Sequence, residues 1–431
     1  MTSLGPIFAD DLARVKPGDR LRLTISAQTS DAAALAQAAL EARARGERVL
    51  VVCADPADVP RLAQEMPWFE PKLDVRPLPD WETLPYDVLS PQEELVSERL
   101  EALYRLTAPT GGADVLLTSA VTASQRLSPV SYIGANTFFF HQGEQISLTT
   151  LQKRLAAAGY ANVKQVLAAG EFAVRGSIVD VFPMGSERPF RLDFFDDEIE
   201  SIRWFDVDTQ RSMESAEEIR LLPGHEFPVD PEALLAFRQR WRREFAGDPK
   251  KSIVYCDIEK EILPPGIEYY LPLFFDETAA LTDYLPPNAR VFLLGDIEVA
   301  LQAFGRDMAS RYKVLAADPQ RPALAPERIW LKPEEFFKSL ANFARFTVEK
   351  KENAEDLKRL TGIEVDRKSQ NPVGKLLERT RESAMKGVRT LIAAPSAGRM
   401  ETMSQLLRTG GLSVEEFPDW QTFLDADSSL G

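Results

Sequence analysis

The sequence predicts an α/β protein in three parts: a mostly parallel-sheet domain, a β-rich α+β domain inserted into it, and a small α/β unit at the end. Three observations carry this. Short apolar runs alternate with helical stretches over the first 128 residues, the pattern of a parallel sheet covered by helices. From Gly170 to Arg211 the period changes to two and turns interrupt it, as in consecutive half-buried strands. After a lysine- and glutamate-rich break near Lys350–Gln370, helix and strand patterns resume. At 431 residues with 44% apolar content the chain is too long for one core and rich enough for several. The boundaries expected are 1–128 and 213–345 for the first domain, 129–212 for the insertion, 346–370 for a linker and 371–431 for the third unit.

Taken in order, residues 1–20 read as a short helix and a turn around Lys16-Pro17-Gly18-Asp19. Leu21–Ile25 is a strand, and an alanine-rich helix runs to Arg45, capped by Ser30 or Asp31. Arg48–Cys53 is the next strand and Pro56–Glu65 the next helix. Asp74–Pro79 and Asp114–Ser119 are strands, the latter followed by the segment Ala120–Leu127. Between them, Asp80–Ser90 is a proline-bounded loop packed down by Trp81 and Tyr86, and Glu93–Leu106 is a helix. Pro129–Thr150 links to the insertion, where Leu151–Ala158 is helical and Val163–Val166 a strand. The chain returns to the first domain at Leu221-Leu222-Pro223. Pro228–Phe245 is a charged amphipathic helix with Phe237 and Trp241 on one face. Ala289–Leu294 is a strand, Ile297–Tyr312 and Pro333–Leu340 are helices, and Ala317–Pro326 is a loop. In the last unit Asn371–Lys386 and Gly398–Thr409 are helices and Val388–Ala394 a strand.

Composition excludes several classes. The 51 basic and 66 acidic residues give a formal net charge of −15, so no uniformly basic nucleic-acid footprint exists. Two cysteines, Cys53 and Cys256, make neither a disulfide framework nor a zinc set. The start MTSLGPIFADDLARV has no signal-peptide pattern, and no apolar run approaches the roughly 20 residues of a membrane span. The chain reads as cytosolic. His141 and His225 have no metal set around them, and no serine sits in a nucleophile-elbow motif. The acidic runs after Phe194-Phe195 and Phe274-Phe275 read as strand ends followed by polar turns. No catalytic residue, resident cofactor or metal is expected in this chain.

The Gly170–Arg211 stretch holds the candidate binding residues. Phe172 and Val174 begin one strand, Ile178, Val179 and Val181 lie in the next, Arg191–Phe195 is a third and Ile199–Phe205 a fourth. Alternation sends Leu192 and Phe194 one way and Arg191, Asp193 and Phe195 the other. If the first pair faces the core, Phe195 is an exposed aromatic beside an arginine, the composition of a protein-binding hot spot. The other reading buries Phe195 under another element.

This stretch, with Asp80-Trp81-Glu82-Thr83-Leu84-Pro85-Tyr86-Asp87, Gly170-Glu171-Phe172 through Arg175-Gly176, Phe182–Glu187, Arg191–Glu198, Phe205–Arg211, Leu222–Pro228 and Pro265–Tyr269, resembles the amino-terminal part of the bacterial transcription-repair coupling factors. That region is itself similar to the excision-repair protein UvrB. The resemblance is close over residues 75–280 and looser in the flanks. It implies a degenerate P-loop/helicase-like first domain, and the chain agrees: the loop Ser26, Ala27, Gln28, Thr29, Ser30, Asp31 has no glycine and no lysine to cradle a phosphate. The step from Ser90-Pro91 straight into a helix leaves no room for the DNA-gripping aromatic hairpin of UvrB.

The resemblance further implies that the insertion binds the repair ATPase UvrA through Arg175, Arg191 and Phe195. The arginines would pair with UvrA carboxylates and Phe195 would fill an apolar pocket. Asp193, Asp206 or Asp208 are the alternative, internal partners for Arg175 and Arg191. In the family, later domains contact RNA polymerase and double-stranded DNA, use ATP and magnesium, and mask the UvrA-binding face. The chain is therefore expected to be a piece of a longer protein, a docking module with no enzymatic activity of its own. The alternative is a UvrB-type nucleotide- and DNA-binding protein.

Overall fold

The computed structural model describes residues 14–25, 30–108, 112–350, 363, 373–394, 396–426 and 430–431. The main domain is a six-stranded sheet in the order β1-β14-β13-β2-β4-β3. Its strands are β1 (Arg20–Ile25), β2 (Val49–Cys53), β3 (Val75–Pro77), β4 (Val115–Ser119), β13 (Arg290–Leu294) and β14 (Ala344–Lys350). All pairings are parallel. Every residue of β2, β4 and β13 is buried, as expected of strands covered on both faces. One layer is the helix Ser30–Ala44, whose alanines bring its backbone close to the sheet beside Leu62 and Met66 of the helix Asp58–Phe69. Cys53 is a fully buried core residue.

β14 lies between β1 and β13 and continues to Lys350, so the main sheet extends through the boundary drawn at residue 345. The stretch Pro129–Thr150, read as a link, instead holds a helix at Val130–Ala135 and the strand β5 (Phe138–His141). β5 pairs antiparallel with β12 (Glu218–Leu221), forming a two-stranded ribbon at the root of the insertion. The aromatic run at 138–140 is the sequence signal for it.

The insertion itself is a six-stranded sheet in the order β11-β10-β9-β8-β7-β6. Its strands are β6 (Ala161–Asn162), β7 (Glu171–Arg175), β8 (Ile178–Val181), β9 (Phe190–Phe195), β10 (Glu198–Phe205) and β11 (Ser212–Ala216). β11 extends past the boundary placed at 212. Residues 163–166 are not a strand; the chain pairs only at Ala161 and Asn162 before leaving the edge of the sheet. Phe172, Val179, Leu192, Phe194 and Ile202 join one continuous core with Leu50, Leu100 and Leu116 of the main domain. Polar contacts sew the same seam. Tyr160 Oη donates to the Leu222 carbonyl at 2.7 Å, and the Gly185 amide donates to Ser97 Oγ at 2.7 Å.

A third layer, rich in aromatic rings, closes the main domain around Trp81, Phe237, Trp241, Tyr269 and Trp330. Phe237 and Trp241 are buried on one face of the helix Pro231–Glu244, as their spacing predicts. Trp81 anchors the 80–90 loop: its Nε1 donates at 3.0 Å to Glu226, which also receives the fully buried Arg99 at 2.6 and 3.2 Å. In the last unit the helices Gly374–Met385 and Ala397–Thr409 form, but Val388–Ala394 does not make a strand. It contributes a single bridge, Thr390 to Leu430.

Candidate protein-docking site

The insertion's sheet has one face in the core and one turned outward. Register decides which residues share the outer face. Arg175 lies opposite Ile178, Asp180 opposite Arg191, and Ile178 opposite Asp193. Residues paired directly across strands point the same way. β9 shows the alternation most clearly: Leu192 and Phe194 are 1% and 6% exposed, whereas Phe195 is 69% exposed. Phe195 is thus not covered by another element of the described chain. It ends β9 just before a tight turn whose first residue, Asp196, has φ +52°. Aspartate tolerates that left-handed conformation because its short polar side chain can bond locally. Arg175 ends β7 before the turn at Gly176, φ +64°. The Phe194 amide donates to the Ser177 carbonyl at 2.9 Å, which places both hairpin tips at one end of the sheet.

The two arginines are organised by Asp180, a residue that the sequence reading passed over. Its carboxylate is completely buried and receives both. Arg191 grips it with two contacts, Nε to Oδ1 at 2.7 Å and Nη2 to Oδ2 at 3.0 Å, and Arg175 Nη2 donates to the same Oδ2. Arg191 Nη1 is also engaged, donating to the Gln210 carbonyl and Ser212 Oγ, each at 3.2 Å. Its guanidinium lies 5.0 Å from the ring of Phe205. These contacts, led by the hydrogen bonds to Asp180, hold the Arg191 pKa above its ordinary value. Of the three expected alternative partners, Asp193 accepts from Ser201 Oγ and Asp206 from Thr209, and the charge of Asp193 still acts on Arg191.

This corrects the expected role of Arg191. The Nε–Nη2 edge needed for a bidentate grip on another carboxylate is already used within the sheet. Its side chain is 14% exposed against 48% for Arg175. Arg175 is therefore the outward-facing cation, and Arg191 is a brace that fixes Asp180, Phe205 and β11 in place. Two arginines share the one buried carboxylate of Asp180, while Asp193 and the Asp196-Asp197-Glu198 turn place acids around the bare ring of Phe195. A buried carboxylate without a positive partner would be strongly disfavoured, so the lone acid in Ile-Val-Asp-Val was the available signal.

The place a nucleotide would occupy looks different. A crevice of about 680 Å3 opens at the carboxyl ends of β2 and β13, lined by Arg22 and by Asp55, Asp58, Asp296, Glu298 and Glu349. Arg22 is already paired with Glu349 at 3.1 Å. Ser26, Ala27, Gln28 and Thr29 lie outside the described residues. Ser30 begins the helix, and Asp31 in its first turn is buried, accepts from the Ala32 amide and binds Arg61 at 2.6 Å. A carboxylate thus sits where the helix start would attract phosphate. His225 is a partly buried residue stacked 5.4 Å from Phe227, its pKa pushed down to about 4 by desolvation. His141 is a surface residue 3.6 Å from Glu218. Among the described residues no cluster of His, Cys, Asp or Glu could hold a metal, and no helix is long and apolar enough to cross a membrane.

Comparison with known proteins converges on the same regions. The UvrB interaction domain family matches residues 138–227, which span the inserted sheet, and the MFD D3 domain family matches residues 384–431. The transcription-repair-coupling factor of Escherichia coli is 42% identical over 298 residues, 69% of this chain and 26% of that protein. The factor of Haemophilus influenzae is 40% identical over 78% of this chain and 29% of its own length. That of Bacillus subtilis is 32% identical over 46% of the chain and 18% of its length. The chain spans about a quarter of the relatives it matches most extensively. With both families in sequence order and the parallel-sheet body around the first, the chain belongs to the transcription-repair-coupling factor family, as its amino-terminal UvrB-like module and the small domain that follows.

Proposed function

We propose that the outer face of the inserted sheet is a docking surface through which this module recruits UvrA to sites of stalled RNA polymerase. Phe195 is the apolar anchor, Arg175 the cation that meets a partner carboxylate, and Arg191 with Asp180 the brace that holds them. The observation that carries this reading is the exposed ring of Phe195 on a strand whose neighbouring aromatic is buried, at the same end of the sheet as a half-exposed arginine. A bare aromatic flanked by arginine is the composition of an interface centre. The longer protein would be an ATP-dependent DNA translocase that displaces polymerase through domains this chain does not contain. A carboxy-terminal domain there would mask the same face.

Isothermal titration of purified UvrA into the chain tests this. Phe195→Ala should weaken binding by about 30-fold, or about 2 kcal/mol, with an unchanged circular dichroism spectrum. Unchanged affinity removes the site. The runner-up, a UvrB-type nucleotide-binding protein, draws on the crevice at the carboxyl ends of the strands. Its five carboxylates oppose a triphosphate, so it stands second. Tight, magnesium-dependent ATP binding by this chain would restore it.

A further inference from the structure

The main domain contains a second, smaller cavity, far in sequence from the docking strands. It holds about 230 Å3 between the Asp80–Pro85 loop, the carboxyl end of β4 and the aromatic layer. Trp81, Tyr269, Phe304 and Trp330 wall it. Their rings meet edge-on, Trp81 to Tyr269 at 5.4 Å and Phe304 to Trp330 at 5.3 Å. Two polar side chains in the wall have no hydrogen-bond partner: the Gln125 Oε1 acceptor and the Trp330 Nε1 donor. Both residues are nine-tenths buried or more, at 3% and 5% exposed. They pair across an antiparallel bridge, so the two side chains leave the backbone on the same face.

Polar neighbours in the same wall are matched. Asp80 accepts from Thr122 Oγ1 at 2.8 Å and from the Glu82 amide, and Tyr269 Oη donates to the Leu84 carbonyl at 2.9 Å. Unmatched buried donors and acceptors are rare in native proteins, and a pair of them lining a cavity points to something that completes them. A turn of the Gln125 amide about its last torsion brings its oxygen or nitrogen toward the space.

We propose that this cavity binds a small, uncharged, planar heterocycle with a hydrogen-bond donor and acceptor on one edge, of the nucleobase type. The aromatic walls favour a flat π-system. The adjacent Trp330 donor and Gln125 acceptor complement an amide-like edge. The carboxylate of Asp80 disfavours a phosphate. The volume is below the roughly 300 Å3 at which pockets begin to take larger ligands, so a base fits and a nucleotide does not.

The test is ligand-observed NMR titration of the 431-residue chain with uracil and with adenine, set against their nucleoside monophosphates and toluene. Saturable binding near the millimolar range is expected for the bases alone. Trp330→Phe and Gln125→Leu should each weaken it by about tenfold, with melting curves showing that both variants fold. Where a variant fails to fold, intermolecular NOEs from the Trp330 indole N–H to the base in the unaltered chain supply the evidence. The proposal is overturned by no saturation up to about 10 mM, by equal binding of toluene, or by affinity unchanged in the folded variants. A high-resolution crystal structure with Gln125 and Trp330 satisfied by each other or by one water would also end it.

Discussion

Asp180→Asn is the sharpest perturbation of the proposed docking face because it changes no exposed atom. The native carboxylate is fully buried and accepts three charge-assisted bonds, two from Arg191 and one from Arg175. Asparagine keeps the shape but removes the charge and turns an N–H2 toward two guanidinium groups. Breaking a buried pair from one side costs about 3–5 kcal/mol. Two features reduce that here. Arg175 is half exposed and can swing into water, and Arg191 Nη1 keeps Gln210 and Ser212. A loss of about 2–3 kcal/mol for the insertion is the consequence. The chain has several cores, so one melting temperature would mix them. Native-state hydrogen exchange of peptides covering β8, β9 and β11 reads the insertion directly, and those amides should lose about 30- to 150-fold in protection while the main sheet keeps its own. UvrA affinity should fall in the same variant even though Asp180 is out of reach of any partner. Protection changed by less than about threefold would mean that the pair behaves as an ordinary surface bridge, and the bracing argument would fail.

Three other outcomes follow from the geometry. Glu226→Gln leaves the fully buried Arg99 without its counter-charge and weakens the Trp81 anchor; urea unfolding should show about 3–5 kcal/mol less stability in the main domain. Gly185→Ala places a Cβ 2.6 Å from Glu101 Oε2 and 2.7 Å from Leu222 at φ +75°, so about 2–4 kcal/mol is lost and limited proteolysis should cut first at the seam between insertion and body. Burial raises the Glu268 pKa from 4.5 to about 7, so the folded state holds a proton that the unfolded chain releases. Its contribution is intact below about pH 4.5 and is lost as pH rises through 7. Glu268→Gln should therefore stabilise the chain at pH 8 by about 1–2 kcal/mol, given the carboxyl's partial solvent access, and change little at pH 4.5; equal effects at both pH values would contradict this.

The strands of the insertion were legible because one face is dry and the other wet. Alternation put Leu192 and Phe194 on one face and Phe195 on the other, and left open whether another element covers Phe195. The parallel body was legible from its short, wholly apolar runs. What stayed hidden depended on partners distant in sequence. Asp180 meets Arg191 only through the β8–β9 register, and a lone acid in a strand does not name its counter-charge. The ribbon of β5 and β12 joins residues on opposite sides of the insertion, so the aromatic run of β5 marks a strand without naming its partner. β11 is exposed nearly throughout and offers no alternation. Val388–Ala394 has the composition of a strand but, among the described residues, one bridge to hold it, a case where tertiary context overrides propensity.

The seam between insertion and body bears on how a recruited protein would be handled. Phe172, Leu192 and Ile202 belong to one continuous apolar core with Leu50 and Leu100, and the Tyr160–Leu222 and Gly185–Ser97 hydrogen bonds tie the same seam. A load applied at the tip carrying Phe195 would pass through that shared core into the body of the main domain instead of dissipating in a swivel. Any articulation that lets cargo reorient has to lie elsewhere along the polypeptide.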